Sequence, residues 1–212
     1  MSIHTVDILI ATSGRESLAQ SILAAQSQTY SGARVVVIGD GPQPVARKIV
    51  KQYDRDNSIV YHETPEHFGH GNPVKEWWLN HSRCAAYVKF LDDDDWLAPI
   101  AIDEMMRRMS ADVVLASCQM LVLKTDYARK RCIKTRICPG VMKPNMIGTG
   151  CMLVRSDAAQ GVRFPLTNDC SDYHWALEVS RKGRVVNVPF PLYYYNGYRG
   201  NPQRPVPSKN AI

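Results

Sequence analysis

The sequence predicts an α/β fold, a mostly parallel central sheet with helices on both faces. Three observations carry this. Short, continuously apolar and β-branched runs recur through the first half of the 212 residues, as strands buried on both faces require. Segments with helical spacing separate them. Acids and glycines stand where the runs end, and in such sheets ligands bind outside the carboxyl ends of the strands.

Residues 7–11 read as the first buried strand, followed by the turn Thr12, Ser13, Gly14 and a helix from about Ser17 with Leu18, Ile22 and Ala25 on one face. The unit repeats at residues 34–38, a β-branched strand ending at Gly39, Asp40, Gly41 and Pro42. A helix over residues 44–53 has Pro44 in its first turn and leads to a short strand at 59–62. Residues 64–73 form a loop punctuated by Gly and Pro, and a helix through Trp77 and Trp78 follows, with at least one of the two indoles in the core.

Residues 87–91 are the strand that runs into Asp92, Asp93, Asp94 and Asp95. After Pro99 a helix sets Ile102, Met105, Met106 and Met109 on one face, and residues 113–116 return to strand. Residues 124–147 are polar, basic and weakly periodic, and Gly148, Thr149 and Gly150 then open a strand at 151–155. A helix from about Asp172 places Tyr173, Ala176, Leu177 and Ser180 together, and strands at 184–188 and 192–195 follow. Residues 199–212 hold three prolines and read as an irregular basic tail. With no internal repeat and no sharp linker, the expectation is one domain over 1–212, its halves being 1–116 and 117–198.

Composition excludes more than it identifies. No apolar run approaches the roughly 18 residues of a membrane span, and the first residues lack a signal peptide's basic start and apolar core, so the expected location is the cytoplasm, soluble or peripheral. The six cysteines form no CxxC pair, which argues against a zinc site or a disulfide framework. His67 and His70 are close enough in sequence to suggest a metal, but Gly-flanked loop histidines more often make ordinary hydrogen bonds. The net charge of +6 is uneven: six of the 26 basic residues follow Glu178, where no acid occurs, and the 20 before it match the 20 acids. A second basic group, Lys124, Arg129, Lys130, Arg131, Lys134 and Arg136, is opposed locally by Asp126 alone. Such patches attract diphosphates, polyanions or an anionic lipid surface, unless they are simply solvated.

Four consecutive aspartates at the end of an apolar strand repel one another unless solvent or a cation offsets the charge. Mg2+ and Mn2+ prefer oxygen ligands, and Mg2+ usually takes one or two carboxylates beside phosphates and water. The plainer reading is an acidic turn that caps the helix after Pro99. Taken alone, this stretch leaves both open.

The order of motifs settles on a resemblance. Asp7, Ile8, Leu9, Ile10, Ala11, Thr12, Ser13, Gly14 and Arg15, then Gln26, Ser27, Gln28, Thr29 and Tyr30, are followed by Val36, Val37, Ile38, Gly39, Asp40 and Gly41. Phe90, Leu91 and the four aspartates come next, and then Ser171, Asp172, Tyr173, His174 and Trp175. In that order, over about residues 6–198, the chain resembles the family 2 glycosyltransferases of the GT-A fold.

The resemblance implies inverting transfer of a sugar from a nucleotide diphosphate donor to a hydroxyl of a glycan, glycoprotein or lipid. It makes 1–116 the nucleotide-sugar half and 117–198 the acceptor half, with a UDP-sugar favoured and a GDP- or dTDP-sugar as alternatives. Asp92 and Asp94 match the DxD acids. Asp92 is then expected near the donor's ribose and the metal, Asp94 as the principal ligand of Mn2+ or Mg2+, Asp95 as a second candidate, and Asp93 beside the donor. Asp40 matches an acid that contacts the nucleobase, with Thr12, Ser13 and Arg15 on the adjacent loop. Asp172 matches the catalytic base, its plainer role being a helix N-cap. Gly148, Thr149, Gly150 and Trp175 fall on the acceptor or sugar side.

The chain departs from the family at three places: Gly39 and Ser171 replace acids, and Tyr198 stands where a metal-binding histidine is expected. Two other readings are weighed. A nucleotidyltransferase would need a Gly-rich basic phosphate loop, of which residues 12–15 are a poor version. A catalytically weak module could use the fold and basic tail to hold a polyanion. A nucleic-acid acceptor is possible but not favoured, because no base-reading motif is present.

Overall fold

The computed structural model describes residues 5–126, 131–165 and 170–197, with the backbone alone at 124–126, 131–134 and 197. The side chains of Lys124, Arg131 and Lys134, and all of Arg129, Lys130, Tyr198 and the tail 199–212, therefore lie outside what is described. The first half runs β1 (Val6–Thr12), α1 (Leu18–Gln26), β2 (Ala33–Gly39), α2 (Pro44–Tyr53), β3 (Ile59–Glu63), α3 (Gly71–His81), β4 (Tyr87–Asp92), β5 (Trp96–Leu97) and α4 (Ala101–Met106). The second runs β6 (Val113–Asp126), β7 (Arg131–Cys138), a 3-10 turn Thr149–Cys151, β8 (Met152–Arg155), α5 (Ser156–Ala159), α6 (Ser171–Ser180) and β9 (Arg184–Gly197).

The sheet order is β3-β2-β1-β4-β8-β6-β9-β5, with β7 added to β6. From β3 to β4 every pairing is parallel. Every residue of β1 is buried, which is why this strand reads as an unbroken apolar run. Right-handed crossovers carry the chain from β1 to β2 to β3 over α1 and α2, which pack together. The return from β3 to β4 reverses direction, so α3 crosses the opposite face and packs on β1 and β2. The reversal makes the gap between β1 and β4 a topological switch point, where open α/β sheets form a crevice. Register sets Ala11 opposite Asp92 and Thr12 opposite Gly39, so the three strand ends are level.

Beyond β4 the sheet becomes mixed. β8 is antiparallel to β4 and β6, while β9 runs parallel to β6 and antiparallel to β5. Here several boundaries differ from the sequence reading. α3 starts at Gly71, and Pro73 is tolerated in its first turn because an N–H there has no intrahelical partner. β6 continues to Asp126 and pairs with β7 across the stretch read as weakly periodic. Among the described residues β7 pairs only with β6 and exposes Thr135, Arg136 and Ile137, so burial imposes no alternation on it. The two predicted strands at 184–188 and 192–195 are one, β9, with a register shift where Pro189 and Pro191 cannot donate to the ladder. α6 buries Trp175, Ala176 and Val179, a face rotated from the predicted one.

Candidate active site

The carboxyl ends of β1, β2 and β4 open into a cavity of about 380 Å³, lined also by the start of α3, Thr149 and Asp172. Thr12, Ser13, Arg15, Asp40, Asp92, Asp93, Asp94, Thr149 and Asp172 all line it, so most of the predicted positions meet although they span 160 residues of sequence, Asp172 lying that far beyond Thr12.

The four aspartates divide sharply. Asp92 leaves 39% of its side chain exposed, and its Oδ1 accepts a hydrogen bond from Lys75 Nζ at 2.7 Å. Asp93 is buried and holds the β1 loop: its carboxylate accepts from Thr12 Oγ1 at 2.7 Å, Ser13 N at 3.3 Å and Arg15 at 2.8 Å. Burial raises its pKa, and Arg15 and Thr12 work against that rise. Asp94 is buried at the cavity wall and pairs with Arg15 at 3.1 Å. Asp93 is therefore held by protein partners rather than by solvent.

Asp95 is also a correction to the predicted ligand set, because it turns away from the cavity. Its carboxyl takes the Tyr193 hydroxyl and the Asn196 N–H at 2.7 Å, so it secures β9. Burial, then Asp92 and Asp94, push its pKa well up, opposed by those two hydrogen bonds.

Asp40 accepts from the backbone N–H groups of Phe68 at 2.6 Å and Gly69 at 2.9 Å, while its own N–H donates to Thr12 O. Gly69 has φ +84°, a conformation that suits glycine and lets its amide face the carboxylate. Of the two loop histidines, His67 packs against Gly41, and His70 precedes α3 and lines the cavity.

Asp172 is not the N-cap of α6; Cys170 holds that position with φ +56°. The Asp172 carboxylate instead accepts across the cavity from Asn72 Nδ2 at 2.8 Å and Thr149 N at 3.0 Å. Two predicted sugar-side residues lie elsewhere. Trp175 is fully buried, stacked on Phe164 at 4.8 Å and edge-on to Phe90 at 5.5 Å, with its N–H given to Val162 O. Gly150 is buried beneath Tyr193, whose ring a Cβ would strike, and its carbonyl accepts from buried Lys89. Gly148 is half-buried, with Asp172 Oδ2 3.6 Å from where its Cβ would be.

Lys75 and Asn72 were not anticipated. Lys75 is 2% exposed on the buried side of α3 with Val74, Trp78 and Leu79. Burial lowers the affinity of its ammonium for a proton, yet Asp92 and Asp172 outweigh this and its pKa is raised. The legible signal was a lysine at an apolar-facing helical position just before the acidic strand.

Asp40, Asp92, Asp93, Asp94 and Asp172 put five carboxylates on the cavity against the two cations Arg15 and Lys75. An incoming diphosphate meets that excess of acid unless a cation accompanies it. Among the described residues no three His, Cys, Asp or Glu side chains converge as a metal cage. Asp92 and Asp94 are oxygen donors of the kind that hard cations take, one or two carboxylates at a time beside phosphate and water.

A parallel sheet with acids at its switch point and a mixed extension carrying the opposite wall is the GT-A architecture. The sequence profile of glycosyl transferase family 2 matches residues 7–158, and the chain belongs to that family. EpsH of Bacillus subtilis strain 168, a protein assigned as a glycosyltransferase, is 24% identical over 121 residues, 56% of this chain and 34% of EpsH. Among solved structures, TarS 1-349 of S. aureus in complex with UDP-GlcNAc matches with a TM-score of 0.71 at 13% identity, over 92% of this chain and 59% of that one. Mannosyltransferase PcManGT from Pyrobaculum calidifontis, in complex with GDP-Man and Mn2+, matches with 0.69 at 14% identity, over 94% and 58%. The chain thus spans about a third of EpsH's length, and at these identities the structural likeness is one of fold. No helix among the described residues is long and apolar enough to cross a membrane.

Proposed function

We propose that this chain transfers a sugar from a nucleotide diphosphate sugar to an acceptor hydroxyl, with inversion at the anomeric carbon. The observation that carries the reading is that Asp92 and Asp94, on one wall, and Asp172, on the other, face the same cavity. Asp172 lies beyond the segment that the family profile matches, so its role rests on this placement.

In this reading Asp172 takes the acceptor's proton. Asn72 and Thr149 fix its plane, Ser171 Oγ lies 3.5 Å from the oxygen that Asn72 reaches, and Oδ2 keeps a lone pair for the proton of an attacking hydroxyl. Asp94 and Asp92 would hold Mn2+ or Mg2+, which when bound offsets the charge that grows on the leaving diphosphate. Arg15, now paired with Asp93 and Asp94, is within the same cavity and available to a phosphate. Asp40 keeps a lone pair on each oxygen for a ring N–H of uracil or guanine. The UDP-GlcNAc bound by TarS supports a UDP-sugar, the GDP-Man and Mn2+ of PcManGT keep a GDP-sugar open, and a dTDP-sugar remains an alternative. The acceptor is proposed to be a glycan, glycoprotein or lipid hydroxyl.

Calorimetric titration with Mn2+ and a panel of UDP-, GDP- and dTDP-sugars tests the donor site. Wild type is expected to bind at least one, and Asp94→Ala to bind it about tenfold or more weakly. If wild type binds none, and Asp94→Ala binds each no worse, the reading is wrong.

A further inference from the structure

Asn72 and Lys75 lie three residues apart on α3, one turn of helix, and both reach into the cavity. Lys75 Nζ donates to Asp92 Oδ1 at 2.7 Å and to Thr149 Oγ1 at 2.9 Å. The Thr149 N–H donates to Asp172 Oδ2 at 3.0 Å, and Asn72 Nδ2 donates to Asp172 Oδ1 at 2.8 Å. The first three form one continuous path from the acid at the end of β4 to the acid at the start of α6, and the fourth is a second anchor on the latter.

We propose that Asn72 and Lys75 are a positioning pair that sets Asp172 against Asp92, so that the two walls of the cavity hold one geometry. The inference rests on the functional reading above, in which Asp92 serves the donor and Asp172 the acceptor. Burying an ammonium is costly, and an ion pair with Asp92 alone would be served as well from a more exposed position. The second contact is the informative one. Thr149 Oγ1 accepts a second hydrogen bond from the Lys75 ammonium, and the same residue's amide holds Asp172, so the ammonium reaches the base through the 3-10 turn without touching it. Asn72 supplies the other carboxylate oxygen from the same helix, so both anchors of Asp172 trace back to α3.

Three variants of the full chain test this: Lys75→Met, Asn72→Ala and the milder Thr149→Val, which removes one hydroxyl and little volume, with Lys75→Arg as the conservative control. Amide hydrogen exchange at position 149 needs no turnover. It should speed up by about tenfold in Lys75→Met and in Asn72→Ala, although neither side chain touches that amide. Unchanged exchange in both overturns the inference whatever the enzyme does. With a donor that wild type uses, kcat at saturation should fall about tenfold in all three variants, and in Asn72→Ala and Thr149→Val donor Kd should stay within about threefold. The double variant Lys75→Met with Asn72→Ala should lose less than the product of the single losses, and Lys75→Arg should recover part of the loss. A loss confined to donor Kd reduces Lys75 to a partner of Asp92 and also overturns the proposal. Failure of wild type to transfer from any nucleotide sugar instead sinks the functional reading, and the exchange result still judges the linkage.

Discussion

The parallel strands from β3 to β4 and the mixed strands from β8 to β5 build opposite walls of one cavity by different means. The first set delivers its groups on strand ends: Thr12 at the end of β1, Asp40 just after β2 and Asp92 at the end of β4 are level because register makes them so. The second set delivers Thr149 from a 3-10 turn and Asp172 from the first turn of a helix, and nothing in their local backbone aims them at the cavity. They are aimed by side-chain contacts, chiefly with α3. One wall is placed by the backbone ladder and the other by a network, so the second wall should be the easier to disturb without unfolding the chain.

Four substitutions probe that contrast. The largest effect is expected where the second wall meets the core: Trp175→Ala should cost about 3–5 kcal/mol of stability, read from urea unfolding, because the indole is fully buried between Phe164 and Phe90. A loss under about 1 kcal/mol would mean that the indole is not the core residue described. Next, Asp172→Asn should reduce turnover by roughly 100-fold or more while donor binding is retained. Full activity would remove Asp172 from the chemistry. Asp94→Ala, on the strand-end wall, should show the opposite pattern, weaker donor binding in the presence of Mn2+ with the fold intact.

Asp95→Asn is the smallest and is a matter of pH. Asp95 joins the walls, and its folded pKa is raised above the ordinary value of 3.8. The folded chain thus binds the proton more tightly than the unfolded chain does, so the penalty of ionising Asp95 is absent below 3.8, grows as pH rises toward the raised value and is complete above it. Wild type should gain melting temperature relative to Asp95→Asn as pH is lowered through that window. A pH-independent difference between the two would show that Asp95 carries no such penalty.

The same contrast governs what could be read from the sequence. The first two strands were legible nearly to the residue, since burial on both faces writes a strand as an unbroken apolar run. β7 was not, because an exposed strand paired on one side bears no such imprint. Of the four aspartates, sequence order could place the group at a strand end but could not say which way each carboxylate points. That depends on Arg15, Lys75 and Tyr193, which approach from other elements. Trp175 was placed on the sugar side by its neighbours in a motif, whereas the helical phase of α6 turns it into the core. Lys75 went unnoticed because a charge on an apolar helix face reads as noise until its partners are known.

Asp40 carries one more consequence. Its two oxygens grip the amides of Phe68 and Gly69, and α3 begins two residues later at Gly71. A ligand ring that drew on the remaining lone pairs of the same carboxylate would share it with those amides, and any shift it caused would enter the chain just ahead of Asn72 and Lys75. Under the proposed function, recognition of the donor's base would thereby be mechanically in series with the helix that holds Asp172, much as a key that must seat before a bolt can slide.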